Sequence, residues 1–198
     1  MFITFEGIDG AGKSTQIELL KNYFIEQGKE VLAIREPGGL KFSENIRNIL
    51  LSNDTNINNT TELLLFLSAR SELTEKVILP ALNEDKIVIC DRFYDSTYAY
   101  QGFGRGIDLD KIIQINKIAT QNLTPDLTFY LHISIETSLS RNIEKHRDRM
   151  ESNTMDFMTK VKYGFDAIAQ MYSKRVKVIN AEKNVDNIHR EIQTYLEK

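Results

Sequence analysis

Short runs of apolar residues alternate with longer stretches of mixed polarity along the chain. Near-continuous apolar runs of this length are typical of strands that are buried on both faces of a parallel sheet. They lie at residues 2–6, 31–35, 87–90, 127–133 and 176–179. The longer stretches have helical patterns and cover residues 13–27, 43–51, 60–82, 108–121, 135 to about 145, 154–174 and 185–196. This alternation predicts an α/β fold in which a five-stranded parallel sheet has helices on both faces.

Nothing in the sequence divides the chain into separate units. It contains no internal repeat and no linker rich in proline, glycine or serine, so we expect residues 1–198 to form a single domain. The asparagine-rich stretch 52–60 is interpreted as a polar turn that ends in a helix cap. Asn59 and Glu62 have the spacing of a capping box at that point.

A charged stretch at residues 145–153 lies between two helical patterns and has Met150 as its only apolar residue. Charge runs are usually solvated loops, which is the simpler interpretation. The alternative is a mobile lid, at about residues 141–155, that carries basic residues over a phosphate site. The pattern leaves both interpretations open.

Composition excludes several classes of protein. The 198 residues are 41% hydrophobic and 27% charged, as is ordinary for a soluble globular protein. Lys and Arg number 25 against 28 Asp and Glu, so a nucleic-acid polymer is not an expected partner, although a few basic residues could hold a mononucleotide. No apolar run approaches the roughly 20 residues that cross a bilayer, so no membrane partner is expected. The start lacks a signal-peptide pattern and Cys90 is the single cysteine, so we expect a cytoplasmic protein.

A glycine-rich motif connects the first predicted strand to the first predicted helix. Its residues, Gly7-Ile8-Asp9-Gly10-Ala11-Gly12-Lys13-Ser14, match the pattern Gly-x-x-x-x-Gly-Lys-Ser/Thr. In such a P-loop the main-chain N–H groups surround a phosphate, the lysine reaches the β- and γ-phosphates, and the hydroxyl can bind Mg²⁺. A chance glycine-rich turn is the alternative. Three residue types at the required offsets, between a strand and a helix, favour the nucleotide site.

A second acidic group for the metal follows the apolar strand 87–90. Asp91 occupies this position, which is that of the Walker-B carboxylate in P-loop enzymes. An aspartate at the end of a strand is more often a turn or cap residue. Its combination with the P-loop favours a role at the metal.

The sequence also indicates what accepts the phosphoryl group. The guanine-specificity pattern Asn-Lys-x-Asp is absent, because Asn116 and Lys117 are followed by Ile118 and Ala119 within a helical pattern. Fixed cations lie instead at predicted strand ends, at Arg35 and Arg92, and one helix later at Arg47. Several fixed cations favour a second phosphorylated substrate over water, because two polyanions must be brought together for in-line transfer.

Together these residues resemble the bacterial thymidylate kinases, a family of P-loop nucleoside-monophosphate kinases. The resemblance covers nearly the whole chain, through residues 5–15, 35–39, 91–96, 100–106, 125–128 and 148–151. The P-loop alone indicates only the superfamily, whereas the block from Asp91 to Gly106 is much more specific. The resemblance implies a three-layer P-loop kinase fold. It also implies transfer of the γ-phosphoryl group of Mg²⁺-ATP to the 5′-phosphate of dTMP, which gives dTDP and ADP in dTTP biosynthesis.

In that family the thymine ring stacks on a phenylalanine and accepts a hydrogen bond from an arginine one helical turn later. Phe66 and Arg70 match this pair, and their i, i+4 spacing places both on one helical face. Without the resemblance Phe66 would be interpreted as a core residue, because it lies among five consecutive apolar residues.

Four further positions match residues around the nucleoside. Ser96, Thr97 and Gln101 match positions that approach the base edge, and Tyr100 matches the tyrosine that disfavours a ribose 2′-hydroxyl. Helix-capping hydroxyls and a packed tyrosine are the alternative interpretations of these residues.

The resemblance also places residues around the acceptor phosphate. Arg92 and Arg47 match its ligands, and Glu36 lies in the same region. Asp9 matches the carboxylate near the acceptor 3′-hydroxyl. The P-loop contains no arginine, so the resemblance implies the bacterial arrangement, in which a lid arginine neutralises the transferring phosphoryl group.

The lid offers more than one such arginine. Arg147 and Arg149 both lie there, and Arg149, inside the sequence Asp-Arg-x-Glu, is the first choice for the catalytic role. Arg141 matches the arginine that lies over adenine. Asp148 and Glu151 are expected to orient the lid or approach the acceptor site.

The expected site therefore has several groups of residues. For ATP they are Gly7, Ile8, Asp9, Gly10, Ala11, Gly12, Lys13, Ser14, Thr15 and Arg141; for dTMP they are Asp9, Glu36, Arg47, Phe66, Arg70, Arg92, Ser96, Thr97, Tyr100 and Gln101. The expected catalytic residues are Lys13, Arg92, Arg149 and Asp9, and the expected ligands of Mg²⁺ are Ser14 and Asp91.

The family resemblance further implies a homodimer that forms through helices on one side of the sheet. The apolar surplus in residues 60–82 could provide that face, and burial in the core explains it equally well. Two other functions remain open: a kinase for a different small acceptor, and a non-catalytic P-loop sensor of ATP.

Overall fold

The computed structural model describes residues 1–141, 149–150 and 154–196 and contains the predicted parallel sheet. Its strands in the described residues are β1 (Phe2–Glu6), β2 (Val31–Arg35), β3 (Ile87–Asp91), β4 (Leu127–His132) and β5 (Val176–Asn180). They lie in the order β2-β3-β1-β4-β5, and all neighbours are parallel. The predicted fold class is confirmed, and each strand bound lies within one residue of its prediction.

The central strand β1 fixes the position of the site. All of its residues are buried, and Phe5 lies opposite Asp91 of β3 and Phe129 of β4. On the far side of β3, Arg35 of β2 is also in register with Asp91. Because the strands are parallel, their carboxyl ends meet at one edge of the sheet, where ligands bind in open α/β folds.

Helices surround the sheet. They are α1 (Lys13–Glu26), α2 (Lys41–Leu51), α3 (Asn59–Leu73), α4 (Leu79–Asn83), α5 (Tyr94–Thr97), α6 (Leu109–Ala119), α7 (Ile135–Arg141), α8 (Met155–Met171) and α9 (Val185–Gln193). In the part of the chain that the structure describes, none of them is long and apolar enough to cross a membrane.

The single helix predicted at residues 60–82 is interrupted. α3 is followed by a wider π-helical turn, Thr74–Ile78, and then by α4. Pro80 lies in the first turn of α4 and has no N–H to donate, so the regular hydrogen-bond pattern cannot run through it.

A helical segment that the sequence did not predict lies after β3. It consists of α5 and the π-helical segment Tyr98–Gly104 that continues it. Its tyrosines, glycines and threonine have low helix propensity, so the sequence of this segment does not indicate a helix. It is held by packing on α8, so closely that a Cβ on Gly104 would lie 2.7 Å from the ring of Phe157.

The predicted capping box at α3 is wrong by one residue. Asn58, in extended conformation, is the cap, and its Oδ1 accepts a hydrogen bond of 2.8 Å from the N–H of Thr61. Asn59 is the first helical residue. Glu62 is buried and binds side chains from other parts of the chain instead of closing the box.

Candidate active site

A cavity of about 530 Å³ opens at the carboxyl edge of the sheet. It brings together residues from the loops after β1, β2 and β3 and from helix α3. The predicted site residues that line it are Asp9, Gly10, Gly12, Lys13, Ser14, Thr15, Glu36, Arg47, Phe66, Arg70, Asp91, Arg92, Ser96, Thr97, Tyr100, Gln101 and Arg141. Gly7, Ile8 and Ala11 belong to the same loop but lie behind its lining.

The loop from β1 to α1 has the backbone shape that its glycines allow. Gly7, Gly10 and Gly12 have φ angles of 135°, 79° and 88°, a region that other residues disfavour. A Cβ on Gly7 would lie only 2.6 Å from the carbonyl oxygen of Leu131. Because of this tight turn, α1 begins at Lys13 and its N-terminus faces the cavity.

Lys13 is a fixed and almost fully buried cation. Its Nζ donates to the carbonyl oxygens of Gly7 at 3.1 Å and Ile8 at 3.2 Å, and it lies 3.9 Å from Oδ1 of Asp9. Burial, and after it the positive charge of Arg92, lower the pKa of Lys13 below its usual 10.5. A desolvated cation at this place interacts strongly with a phosphate, because little water competes for it.

Ser14 and Asp91 form a pair that fits a divalent cation. The hydroxyl of Ser14 donates to Oδ2 of Asp91 at 3.4 Å. The other oxygen, Oδ1, is buried and has no hydrogen-bond partner among the described residues. Carboxylate and hydroxyl oxygens are ligands that suit Mg²⁺, and an unsatisfied buried oxygen gains most from such a partner.

Arg92 connects the P-loop to the rest of the cavity. Its Nη2 lies 2.5 Å from Oδ1 of Asp9, and its Nη1 donates to the carbonyl oxygen of Gly7 at 2.8 Å and to Ser96 at 3.1 Å. The residue has φ of 69°, and its N–H donates to the carbonyl oxygen of Phe5 at 2.9 Å. This uncommon backbone conformation directs a side chain at the end of β3 back toward the loop after β1.

Glu6 supports the wall of the cavity, and the sequence analysis did not predict this. Its carboxyl accepts hydrogen bonds from the N–H of Phe93 at 2.7 Å and from the hydroxyl of Ser96 at 2.5 Å. Burial, and after it the charge of Asp95, raise the pKa of Glu6 from 4.5 to about 8, against the opposing effects of Ser96 and Arg92. Glu6 thus holds the segment that carries Arg92. The only sequence signal for this role is an acidic residue at the end of a buried strand.

Phe66 and Arg70 lie on one face of α3, as predicted, and both line the cavity. Phe66 is half-buried, whereas Arg70 is 1% exposed. Nε and Nη2 of Arg70 donate to Oε2 of Glu36 at 2.9 and 2.8 Å, and Nη1 donates to Oδ1 of Asn116 at 2.5 Å. Burial raises the pKa of Glu36, and the charge of Arg70 opposes that shift.

The other predicted nucleoside-binding residues come from α5 and the π-helical segment. Thr97, Tyr100 and Gln101 are buried side chains at the cavity wall. The guanidinium of Arg92 lies 5.4 Å from the centre of the Tyr100 ring. Gln101 donates its amide N–H to Oε1 of Glu62 at 2.9 Å, so its orientation is fixed. π-helical turns are frequent at functional sites because they place adjacent side chains differently from an α-helix.

The remaining basic residues lie around the cavity mouth. Arg47 donates to the carbonyl oxygen of Pro37 at 3.0 Å. Arg141 donates to the carbonyl oxygens of Gly10 at 3.1 Å and Ala181 at 3.2 Å, so it lies against the P-loop.

Arg149 is not one of the residues that line the cavity, although its neighbour Met150 is. Its Nη1 is 2.7 Å from Oε2 of Glu62, its Nε donates to the carbonyl oxygen of Leu50 at 2.8 Å, and its N–H donates to that of Leu51 at 3.1 Å. Arg149 is therefore bound to the end of α2 and to α3 in this structure. Most of the predicted lid, with Arg147, Asp148 and Glu151, lies outside the described residues.

Several lining residues were not predicted to belong to the site. They are Pro37, Leu51, Phe93 and Met150, whereas Arg35, which the sequence indicated as a cation near the phosphates, also lines the cavity. Met150 is 8% exposed, and its position as the single apolar residue of a charged stretch was a signal that it packs against something.

This geometry defines a class of protein. A phosphate-binding loop with its lysine faces, within one cavity, a pocket of arginine and aromatic side chains, and Arg92 and Asp9 join the two halves. Such an arrangement is that of a P-loop phosphotransferase that holds two phosphorylated substrates side by side.

Comparison with known proteins identifies the family. A family model described as thymidylate kinase matches residues 5–192. A thymidylate kinase of Prosthecochloris aestuarii is 50% identical over 97% of this chain and 91% of its own length, and one of Thermoanaerobacter sp. is 42% identical over 100% and 97%. The crystal structure of thymidylate kinase from Ehrlichia chaffeensis is 39% identical, covers 99% of this chain and 98% of its own, and superimposes with a TM-score of 0.82. The chain belongs to the thymidylate kinase family.

Proposed function

We propose that the protein transfers the γ-phosphoryl group of ATP to the 5′-phosphate of dTMP and releases ADP and dTDP, a step of dTTP biosynthesis. The observation that carries this proposal is that one cavity is lined by Phe66, by Arg70 and by Arg92, which contacts the P-loop residue Asp9. The similarity to thymidylate kinases over the whole chain supports the same reaction.

The chemistry requires positioning and charge neutralisation and no covalent enzyme intermediate. An anionic oxygen of the dTMP phosphate forms the new bond to the γ-phosphorus while the bond from that phosphorus to the β,γ-bridging oxygen breaks, and ADP leaves with the electron pair. Lys13 is buried and Arg92 is 19% exposed, and both are held by carbonyl or carboxylate oxygens, so they need little reorganisation to stabilise the developing charge.

Mg²⁺ would supply charge neutralisation to the ATP phosphates when bound. Ser14 and Asp91 are the residues that would hold it, and the buried unsatisfied oxygen of Asp91 supports this assignment. Ser14 and Asp91 would hold Mg²⁺ next to the ATP phosphates, which we propose bind to the P-loop.

At the acceptor end, we assign Phe66 to stacking on the thymine ring and Arg70 to hydrogen bonding with a ring carbonyl. An aromatic face and a planar cationic donor suit a pyrimidine, and both side chains line the same cavity as Arg92. Arg47 and Arg92 are the proposed ligands of the 5′-phosphate. The Tyr100 ring, packed under the Arg92 guanidinium, is proposed to exclude a ribose 2′-hydroxyl.

The contacts of Arg149 change the role proposed for it. Because its guanidinium is bound to Glu62 and to the carbonyl oxygen of Leu50, we assign it to anchoring the end of the lid segment rather than to direct contact with the phosphoryl group. Arg141, which contacts the P-loop carbonyl of Gly10, is proposed to lie near the adenine.

We further propose a homodimer that forms through the face of α2 and α3. Exposed apolar side chains on these adjacent helices, Phe42, Ile49 and Leu64, are 50%, 45% and 50% exposed and would be buried by a second copy. Sedimentation velocity of the protein and of Leu64→Glu tests this proposal, and a monomeric unmodified protein would contradict it. A cytoplasmic location stays a prediction from the sequence.

The test of the proposed function is dTMP-dependent release of ADP from Mg²⁺-ATP. The same assay is run separately with dUMP, UMP, CMP and thymidine as alternative acceptors. We expect dTMP to have the highest kcat/KM of the panel. ATP binding without any dTMP-dependent ADP release would favour a nucleotide sensor, and a higher kcat/KM for another acceptor would assign a different kinase.

A further inference from the structure

Asn116 lies on α6, outside every part of the site that the sequence indicated. It is 1% exposed, and its amide is fixed at both ends. Its Nδ2 donates to the carbonyl oxygen of Ile112 at 3.2 Å, and its Oδ1 accepts the 2.5 Å hydrogen bond from Nη1 of Arg70. Because Nδ2 is the donor to Ile112, the amide atom that faces the guanidinium is the acceptor Oδ1. The hydrogen bond between Arg70 and Asn116 therefore runs from Nη1 to Oδ1.

The hydrogen-bond inventory of Arg70 shows what this contact does. A guanidinium has five N–H groups. Among the described residues, the N–H on Nε and one N–H on Nη2 donate to Glu36. The second N–H on Nη2 donates to the carbonyl oxygen of Phe93, and one N–H on Nη1 donates to Asn116. The remaining N–H is on Nη1, the same nitrogen that Asn116 holds. Glu36 and Asn116 thus fix opposite sides of one planar group at the cavity wall.

We propose that Asn116 is a specificity-determining positioning residue, which directs the remaining N–H of Arg70 at the acceptor base. The donor then requires a hydrogen-bond acceptor on the base. Thymine presents the carbonyl oxygen O4 at the position where cytosine presents an amino group, which is a donor. A fixed N–H therefore favours dTMP over dCMP, whereas a guanidinium without the Asn116 contact could tilt about its contacts with Glu36 and Phe93 and turn the donor away.

This inference rests on the proposed function, because it assigns a role within the dTMP site. It differs from a purely structural role in what it predicts. A buried asparagine that only stabilises α6 would affect the folding of the enzyme and would leave the relative use of two bases unchanged.

The test compares dTMP and dCMP as acceptors for the full-length enzyme and for three variants. Asn116→Leu removes the acceptor while keeping the number and branching of the side-chain heavy atoms, and Asn116→Asp keeps an oxygen for Nη1. Thr120→Val is the matched control: Thr120 is the buried residue that caps the C-terminus of α6, one turn after Asn116, and its hydroxyl donates to the main-chain oxygen of Asn116 at 2.9 Å. If Asn116→Leu does not fold, Asn116→Ala replaces it, with folding of each variant checked by circular dichroism.

We expect Asn116→Leu to raise the KM for dTMP and to lower the ratio of kcat/KM for dTMP over dCMP by about tenfold, in the range expected for a hydrogen bond to a charged group. The KM for ATP should not change, Asn116→Asp should recover most of the ratio, and Thr120→Val should keep it. An unchanged ratio in Asn116→Leu, or an equal loss in Thr120→Val, would overturn the inference. Absence of dTMP-dependent ADP release in the unmodified enzyme would instead overturn the proposed function.

Discussion

Replacing Glu6 by glutamine should remove a pH dependence of stability that originates beside the P-loop. Glu6 is 1% exposed, and its carboxyl accepts hydrogen bonds from Phe93 and Ser96. Glutamine has the size of protonated glutamic acid. Its oxygen can accept from Phe93 while its amide donates to the hydroxyl of Ser96, so the contacts survive and only the ionisation is lost.

The magnitude follows from the pKa of Glu6, which burial raises from 4.5 to about 8. A raised carboxyl pKa means that the folded protein retains a proton that the unfolded chain has already lost. The stability contributed by the neutral carboxyl is fully present below pH 4.5 and is lost as the pH rises to about 8. Each pH unit within that interval corresponds to about 1.4 kcal/mol, so the whole interval corresponds to roughly 4–5 kcal/mol.

The assay is urea unfolding at pH 5, 6, 7 and 8, followed by circular dichroism, for the unmodified protein and Glu6→Gln. Other titrating groups are common to both proteins and largely cancel in the difference between their free energies of unfolding. We expect that difference to grow in favour of the variant by about 1 kcal/mol per pH unit. Glu18→Gln, which removes an exposed carboxylate, is the control. Parallel stability curves for Glu6→Gln and the unmodified protein would refute the reasoning.

Three substitutions test the rest of the site in the ADP-release assay. Lys13→Ala should lower kcat at least about 100-fold with the fold intact by circular dichroism, because it removes a preorganised cation from the phosphates, and a loss below tenfold would contradict that role. Phe66→Ala should raise the KM for dTMP about tenfold with the KM for ATP unchanged, and normal dTMP affinity would remove Phe66 from the base site. Arg149→Ala should lower Tm by a few degrees, because Glu62 loses one of its charged partners, and should lower kcat less than about tenfold. A 100-fold loss of kcat without a change in Tm would contradict this and indicate that Arg149 contacts the phosphoryl group directly.

Features set by local sequence were predicted well. The strands follow from near-continuous apolar runs, and the P-loop follows from glycines that must adopt positive φ between a strand and a helix. The spacing of Phe66 and Arg70 also sufficed to place both on one face of α3, because the helix repeat is fixed by the backbone.

Errors arose where tertiary packing overrides local preference. The helical segment from Tyr94 to Gly104 has weak intrinsic preference and forms by packing on α8. At α3, both Asn58 and Asn59 could cap the helix, and the buried environment of Glu62 decides between them. A carboxylate that binds Gln101, Arg105 and Arg149 cannot also turn back to the helix N-terminus.

The residues that position the site, rather than form its surface, were the hardest to predict. Glu6 acts on Phe93 across 87 positions of the chain, Asn116 acts on Arg70 across 46, and Glu62 acts on Gln101 across 39. Each is a polar residue inside a strand or helix, where a single sequence gives no information on its partner. The partner is decided by strand register and helix packing, and burial then requires that every such group find one. The family motif that contains Arg149 predicted a role at the phosphoryl group, and that role stays a prediction. In this structure Arg149 pairs with Glu62, a carboxylate 87 residues earlier in the chain, and such a partner is decided by helix packing.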